Sequence, residues 1–230
     1  MSDTLADLKQ QLIETCEAVV RSGALSISGH GNISLRVPGK DQILFTAGGT
    51  LHGLTPAGIA RLSLDGELLE GELPPVAHEV VHMHTAVYER RLETGCVIHT
   101  HSPFATAFAV AGRPILCWSE AAARFGMEDG VPVAAYGPRG SQESVNNIRG
   151  VITPRSKAVL LANHGILAFH ESSADAVRVC TALEETAQLA LYASALGGPQ
   201  LIPPEMLAYT QQRVAEFAAA GAVRGGAARP

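Results

Sequence analysis

Lysine is scarce in this chain of 230 residues: there are three, Lys9, Lys40 and Lys157, against nine histidines. None of the three stands beside a histidine-rich motif, so carbonyl chemistry through a lysine Schiff base has no candidate. Charged residues of all kinds make up 17%, below the usual ~25%. With 47% hydrophobic residues, so little charge excludes a disordered chain. Surface hidden in an oligomer interface would account for the deficit. The net charge of -5 offers no basic face to a nucleic acid or an anionic membrane. No apolar run approaches the ~20 residues that span a bilayer. The four cysteines, Cys16, Cys96, Cys117 and Cys180, are scattered without a CxxC pair, and the first segment is polar rather than a signal peptide. These features predict a reduced, cytoplasmic protein with small buried thiols and a small-molecule partner.

The length suits one domain, since single cores commonly grow to roughly 250 residues. Residues 1–220 read as that domain, and 221–230, rich in Gly, Ala and Arg, as a flexible tail. Leu5, Leu8, Leu12, Cys16 and Val19 fall at helical spacing, which predicts a helix over 4–21 stopped by Gly23. Strands are expected at 42–46, 96–100, 115–118, 131–135, 157–162 and 166–169. Helices are expected over 76–92 after Pro74-Pro75, over 173–195 with Ser172 or Ser173 as cap, and over 204–219. Ser102-Pro103 has the form of an N-cap followed by proline at the first helical position. Alternating strands and helices define an α/β class.

Five of the nine histidines lie between 78 and 101. His99-Thr100-His101 ends an expected strand, where side chains two apart share a face and lie about 6–7 Å apart at the backbone. That spacing suits two ligands of one metal. His164, delivered to a turn by Leu160-Leu161-Ala162-Asn163 and followed by Gly165, would complete a three-nitrogen site with open coordination positions. On the 76–92 helix His78 and His82 share a face. Glu79 and His84 point about 140° apart and cannot both face one metal.

The residues then resemble a known family, the class II aldolase/adducin superfamily, whose best-known enzyme is fuculose-phosphate aldolase. The resemblance rests on Gly29-His30-Gly31-Asn32-Ile33-Ser34, Phe45-Thr46-Ala47-Gly48-Gly49, His84-Thr85-Ala86-Val87-Tyr88, Val97-Ile98-His99-Thr100-His101-Ser102, Asn163-His164-Gly165 and Leu183-Glu184-Glu185-Thr186-Ala187. It covers roughly residues 8–195. It implies a three-layer α/β/α fold with a mainly antiparallel central sheet, a homotetramer with active sites at subunit interfaces, and one divalent metal per subunit on His99, His101 and His164. Zinc is the usual metal, and Mn, Co or Fe fit a similar donor set. Metal chelation of two neighbouring substrate oxygens, stabilising the enolate beside a carbonyl, replaces the Schiff base.

Departures from the family pattern bear on function. The family's metal-binding glutamate, which serves as the base, falls at Val80 when counted back from Tyr88, with Glu79 one residue away. A slip at the helix start would deliver Glu79; otherwise Glu79, His84 and the metal share the work. Gly31 and Asn32 match the phosphate site, but the Thr-Gly turn is Gly48-Gly49, and Ala77-His78 or His78-Glu79 replaces two serines. Losing those hydroxyls weakens charge-assisted phosphate binding. The proton-donating tyrosine is Trp118, whose indole is no acid near pH 7. These changes point to aldolase-type cleavage of a small, non-phosphorylated substrate, with His52, Arg124 or Arg139 as candidates to hold a carboxylate. The alternative is a decarboxylase of a hydroxy-aromatic or keto acid; sugar epimerisation or dehydration, and a non-catalytic adducin-like role, rank behind. Adducin-like members lack the metal histidines.

Overall fold

The computed structural model describes residues 4–225. Among them, eight strands form one sheet: β1 (Gly31–Arg36), β2 (Gln42–Thr46), β3 (Ile59–Ser63), β4 (Leu68–Glu70), β5 (Cys96–Thr100), β6 (Val133–Ala134), β7 (Ala158–Leu161) and β8 (Gly165–His170). Their spatial order is β4-β3-β2-β1-β5-β8-β7-β6. All neighbours run antiparallel except β6 and β7. The helices are α1 (Leu5–Ser22), α2 (Pro75–Arg90), α3 (Pro103–Val110), α4 (Glu120–Arg124), α5 (Gln142–Val151), α6 (Ser173–Ser194) and α7 (Pro204–Gly225).

The two-residue period of the strands sorts the sheet into two apolar faces. Cys96 and Ile98 of β5 join Ile33, Leu44, Ile166 and Ala168 under α1, α3 and α6. Val97 joins Ile43, Phe45, Val159, Leu167 and Phe169 under α2 and α5. The result is the expected three-layer α/β/α arrangement. Helix α1 starts at a complete capping box between Thr4 and Asp7 and stops at Gly23, which takes the left-handed φ of 78°. All four cysteines are free and buried. No described helix is long and apolar enough to cross a membrane.

Three expectations change. Residues 115–118 form no strand: Ile115 and Val131 make a single bridge, because the flanking Pro114 and Pro132 cannot donate to a ladder. The same Pro132 shortens the expected 131–135 strand to β6. Helix α7 runs to Gly225 instead of ending at the expected residue 219, and 226–230 lie outside the described residues.

Candidate metal centre

Strand β5 carries His99 at its penultimate position and releases the chain at His101, while the β7–β8 turn presents His164. Pairing of β5 with β8 places His99 opposite Leu167 and Thr100 opposite Ile166. Backbone hydrogen bonds therefore bring the turn to the end of β5. The ligand nitrogens of His99, His101 and His164 all lie within 4.8 Å of one another. Their ring centroids are 5.1 Å apart for His99–His101, 4.7 Å for His99–His164 and 5.1 Å for His101–His164.

The three nitrogens suit a divalent metal in protonation as well as position. His99 Nδ1 lies 2.8 Å from the Ile166 carbonyl. A carbonyl only accepts, so Nδ1 carries the hydrogen and Nε2 keeps its lone pair for a metal. Burial holds His99 well below the usual imidazole range, with His164 and His101 adding to the shift. Burial also lowers His101, helped by His30 and Arg139, and brings His164 down to about 4, helped by His101 and Arg139. All three are thus neutral near pH 7, the form that binds metal.

Two glycines make room for this cluster. A Cβ on Gly165 would sit 2.6 Å from the Thr100 carbonyl oxygen and 2.9 Å from the His101 ring. A Cβ on Gly31 would sit 2.7 Å from the His99 carbonyl oxygen. Asn163, just before His164, takes a left-handed φ of 58°, a conformation asparagine tolerates better than most residues.

Beneath the triad lies a buried polar chain. Asn32 of β1 pairs opposite His99. Its Oδ1 is 2.7 Å from His84 Nε2, and His84 Nδ1 is 2.8 Å from Ser34 Oγ, which is 2.9 Å from the Tyr88 hydroxyl. His84 is fully buried, and desolvation takes its pKa down to about 3. With both nitrogens engaged, His84 sets the direction of Asn32. Ser34 and Tyr88 were not singled out as site residues in the sequence, although both lie inside the motifs that carry the resemblance.

The remaining candidates spread widely. Helix α2 is regular from Pro75, so no slip moves Glu79 into the Val80 position. Val80 is buried in the core, while the half-exposed Glu79 pairs with Arg139, Oε2 to Nε 3.1 Å. The Gly48–Gly49 turn follows β2 and is exposed; the bridge from Thr50 to His30 ties it to the end of the sheet that bears the triad. His30 stands 6.1 Å from His101 between ring centroids, and His52 lies against Gly29 in the same turn. His78 and His82 face one another at 6.2 Å. Trp118 packs on Phe108 in an apolar groove of about 360 Å³ with Leu116, Ala190 and Leu191, and Arg124 lines another groove with Glu120 and Tyr209.

A carboxylate read in the sequence only as part of a motif also supports the site. Glu184 of α6 is buried and accepts from the Phe104 and Ala105 N–H groups, each at 2.8 Å. It caps α3 immediately after His101. Ser102 holds the N-cap position, but its hydroxyl donates instead to the Ala24 carbonyl at 2.8 Å.

A three-layer fold with three convergent neutral imidazoles at one end of an antiparallel sheet defines a candidate metalloprotein of the class II aldolase type. The chain belongs to the family described as Class II Aldolase and Adducin N-terminal domain, which it matches over residues 10–191. It is 30% identical over 199 residues to a 5-deoxy-D-ribulose 1-phosphate aldolase of Bacillus thuringiensis serovar kurstaki, covering 86% of this chain and 90% of the relative. It is 31% identical over 193 residues to an L-fuculose phosphate aldolase of Escherichia coli O6:H1, covering 84% and 86%. A solved L-fuculose 1-phosphate aldolase superposes with a TM-score of 0.79 at 27% identity, covering 91% of this chain and 97% of that one.

Proposed function

We propose that the protein is a divalent-metal-dependent carbon–carbon lyase, cleaving beside a carbonyl in the aldolase manner, on a small oxygenated and non-phosphorylated substrate. The observation that carries this reading is the neutral triad of His99, His101 and His164, with Nδ1 of His99 tied back to the Ile166 carbonyl. A metal held there, zinc first and Mn, Co or Fe next, supplies Lewis acidity to oxygens next to the bond that breaks. Glu79 is the base that takes the substrate hydroxyl proton. As that proton leaves, the carbon–carbon bond opens, its electron pair passes to the carbon beside the carbonyl, and an aldehyde departs. Asn32, with Oδ1 committed to His84, presents Nδ2–H₂ as donor to a substrate oxygen.

The reading of a non-phosphorylated substrate is supported by the exposed Gly48–Gly49 turn, which offers only backbone, and by Ala77 and His78 at the start of α2. Both relatives above are named for phosphorylated sugars, so this chain would have diverged in substrate. Decarboxylation of a keto or hydroxy-aromatic acid is the second reading. The Glu79–Arg139 ion pair favours it, because loss of carbon dioxide needs no base to begin and Arg139 suits a carboxylate. A homotetramer is supported by the exposed apolar residues Leu189, Tyr192, Leu196 and Leu201. Four free, buried thiols fit a cytoplasmic location.

The test is metal analysis followed by a screen of metal-loaded protein against hydroxy-keto acids and hydroxy-aromatic acids, recording aldehyde and carbon dioxide separately. About one metal per chain and aldehyde release are expected. Carbon dioxide alone would select the second reading. A protein without stoichiometric metal, indifferent to His99→Ala and His101→Ala, would leave an adducin-like role.

A further inference from the structure

The Glu79–Arg139 pair joins the first turns of α2 to the loop between β6 and α5. That loop is held firmly. Ser141 N–H donates to the Pro138 carbonyl at 3.0 Å, and Ser141 caps α5 through Ser144 N–H. Gly137 lies so close to Ser144 that a Cβ would fall 2.4 Å from its nitrogen. Gly140, at φ 76°, rests against Glu79, and a Cβ there would lie 3.3 Å from Glu79 Cβ and Cγ. The guanidinium is further fixed by donating to the Val76 carbonyl. The loop backbone is therefore tied down on either side of Arg139, and the guanidinium has both a carbonyl and a carboxylate partner.

The ion pair itself is half-exposed to solvent. Arg139 and Glu79 side chains are 48% and 51% exposed, and pairs this wet contribute little to stability. A guanidinium on a tethered loop, with a half-exposed carboxylate partner, is an exchangeable oxyanion seat. The seat lies at the triad's end of the sheet, since parallel β6 and β7 pair Ala134 with Leu161 and both chains leave from that end, one toward Arg139 and the other to His164.

We propose that Arg139 selects substrates carrying an oxyanionic head group, and that this group displaces Glu79 from Arg139 and so frees the Glu79 carboxylate to act as base. This rests on the lyase reading and names its substrate class: a hydroxy or keto acid whose carboxylate is gripped by the bidentate fork of Arg139. One residue then sets specificity and couples it to the base. A substrate lacking the oxyanion leaves Glu79 engaged, which is discrimination through assembly of the site.

The experiment is calorimetric titration of zinc-loaded protein with malonate and, separately, with inorganic phosphate, for wild type, Glu79→Gln and Arg139→Gln. Both substituted side chains are half-exposed, and thermal melting confirms that each variant is folded. Glu79→Gln is expected to bind malonate three- to tenfold more tightly, because the resident competitor has lost its charge. Arg139→Gln is expected to bind at least tenfold more weakly. Unchanged or weaker binding by Glu79→Gln, or wild-type binding by Arg139→Gln, would overturn the exchange. Phosphate binding tighter than malonate with the same dependence on both residues would support the exchange and overturn the non-phosphorylated substrate. Failure of the whole substrate screen, with the titrations as expected, would reject the lyase reading alone.

Discussion

His84 Nε2 lies 2.7 Å from Asn32 Oδ1, and this contact fixes which way the amide faces. The acceptor end points into the core and the donor end remains for a ligand. Asn32→Asp keeps an acceptor for His84 but replaces the outward N–H₂ with a carboxylate oxygen. We expect KM to rise at least tenfold with little change in metal content. Metal analysis and steady-state kinetics of the same preparation check both halves. An unchanged KM would remove Asn32 from the substrate site.

The burial of His84 has a consequence for acid stability. Its pKa is about 3 in the fold and about 6.5 in the unfolded chain. The unfolded state therefore binds a proton between these values and the folded state does not. Stability is full above pH 6.5 and falls as pH drops toward 3, by an amount on the order of a few kcal/mol. The difference between wild type and His84→Gln at each pH isolates this effect, because the triad histidines contribute alike to both proteins. Chemical denaturation at pH 7, 6, 5 and 4 should show the decline, and His84→Gln should flatten it.

Removing the carboxylate of Glu184 strips an acceptor from two α3 N–H groups. Hydrogen bonds to charged groups contribute about 1.5–3 kcal/mol each, so Glu184→Ala should cost on the order of 3 kcal/mol. At about 2–4 °C per kcal/mol for a chain of this size, calorimetry should record a fall in Tm of about 6–12 °C. Glu184→Gln retains one acceptor and should lose less.

Gly165→Ala tests the packing of the triad without touching a ligand. The new methyl group would meet the Thr100 carbonyl oxygen and the rings of His101 and His99. We expect metal affinity to fall at least tenfold while circular dichroism stays near wild type. Competition against a fluorescent zinc chelator gives the number. Wild-type affinity would show that the turn has room to shift.

Chelation provides the direct control. Dialysis against a strong chelator should abolish turnover, and zinc should restore it in wild type but not in His99→Ala or His101→Ala. Equal activity before and after chelation would dismiss a metal-dependent reaction.

The parts of this molecule that read well in the sequence are those where side-chain period and composition agree. Residues 42–46 and 96–100 alternate or run apolar and appear as β2 and β5 with the same bounds. The α1 stop at Gly23 and the Ser172 cap of α6 are local backbone chemistry and also match. Strand β1 went unread because Gly31, Asn32 and Ser34 are poor strand formers; tertiary pairing with β2 and β5 supplies what propensity lacks. In the site, the H-x-H spacing made His99 and His101 visible. Residues joined only by folding were harder to see. The Glu79–Arg139 pair spans 60 positions, and Glu184 reaches Phe104 across 80. The burial of His84 was equally hidden, because a histidine's surroundings are set by folding and not by its neighbours in sequence.

The backbone ladder between β5 and β8 holds His99 and the His164 turn together before any ion arrives. The donor set is therefore preorganised, and the apoprotein should keep the native fold. Such a protein can be stripped and recharged with spectroscopically visible cobalt in place of silent zinc. Its coordination chemistry then becomes a reporter of substrate arrival at the metal, without relying on turnover at all.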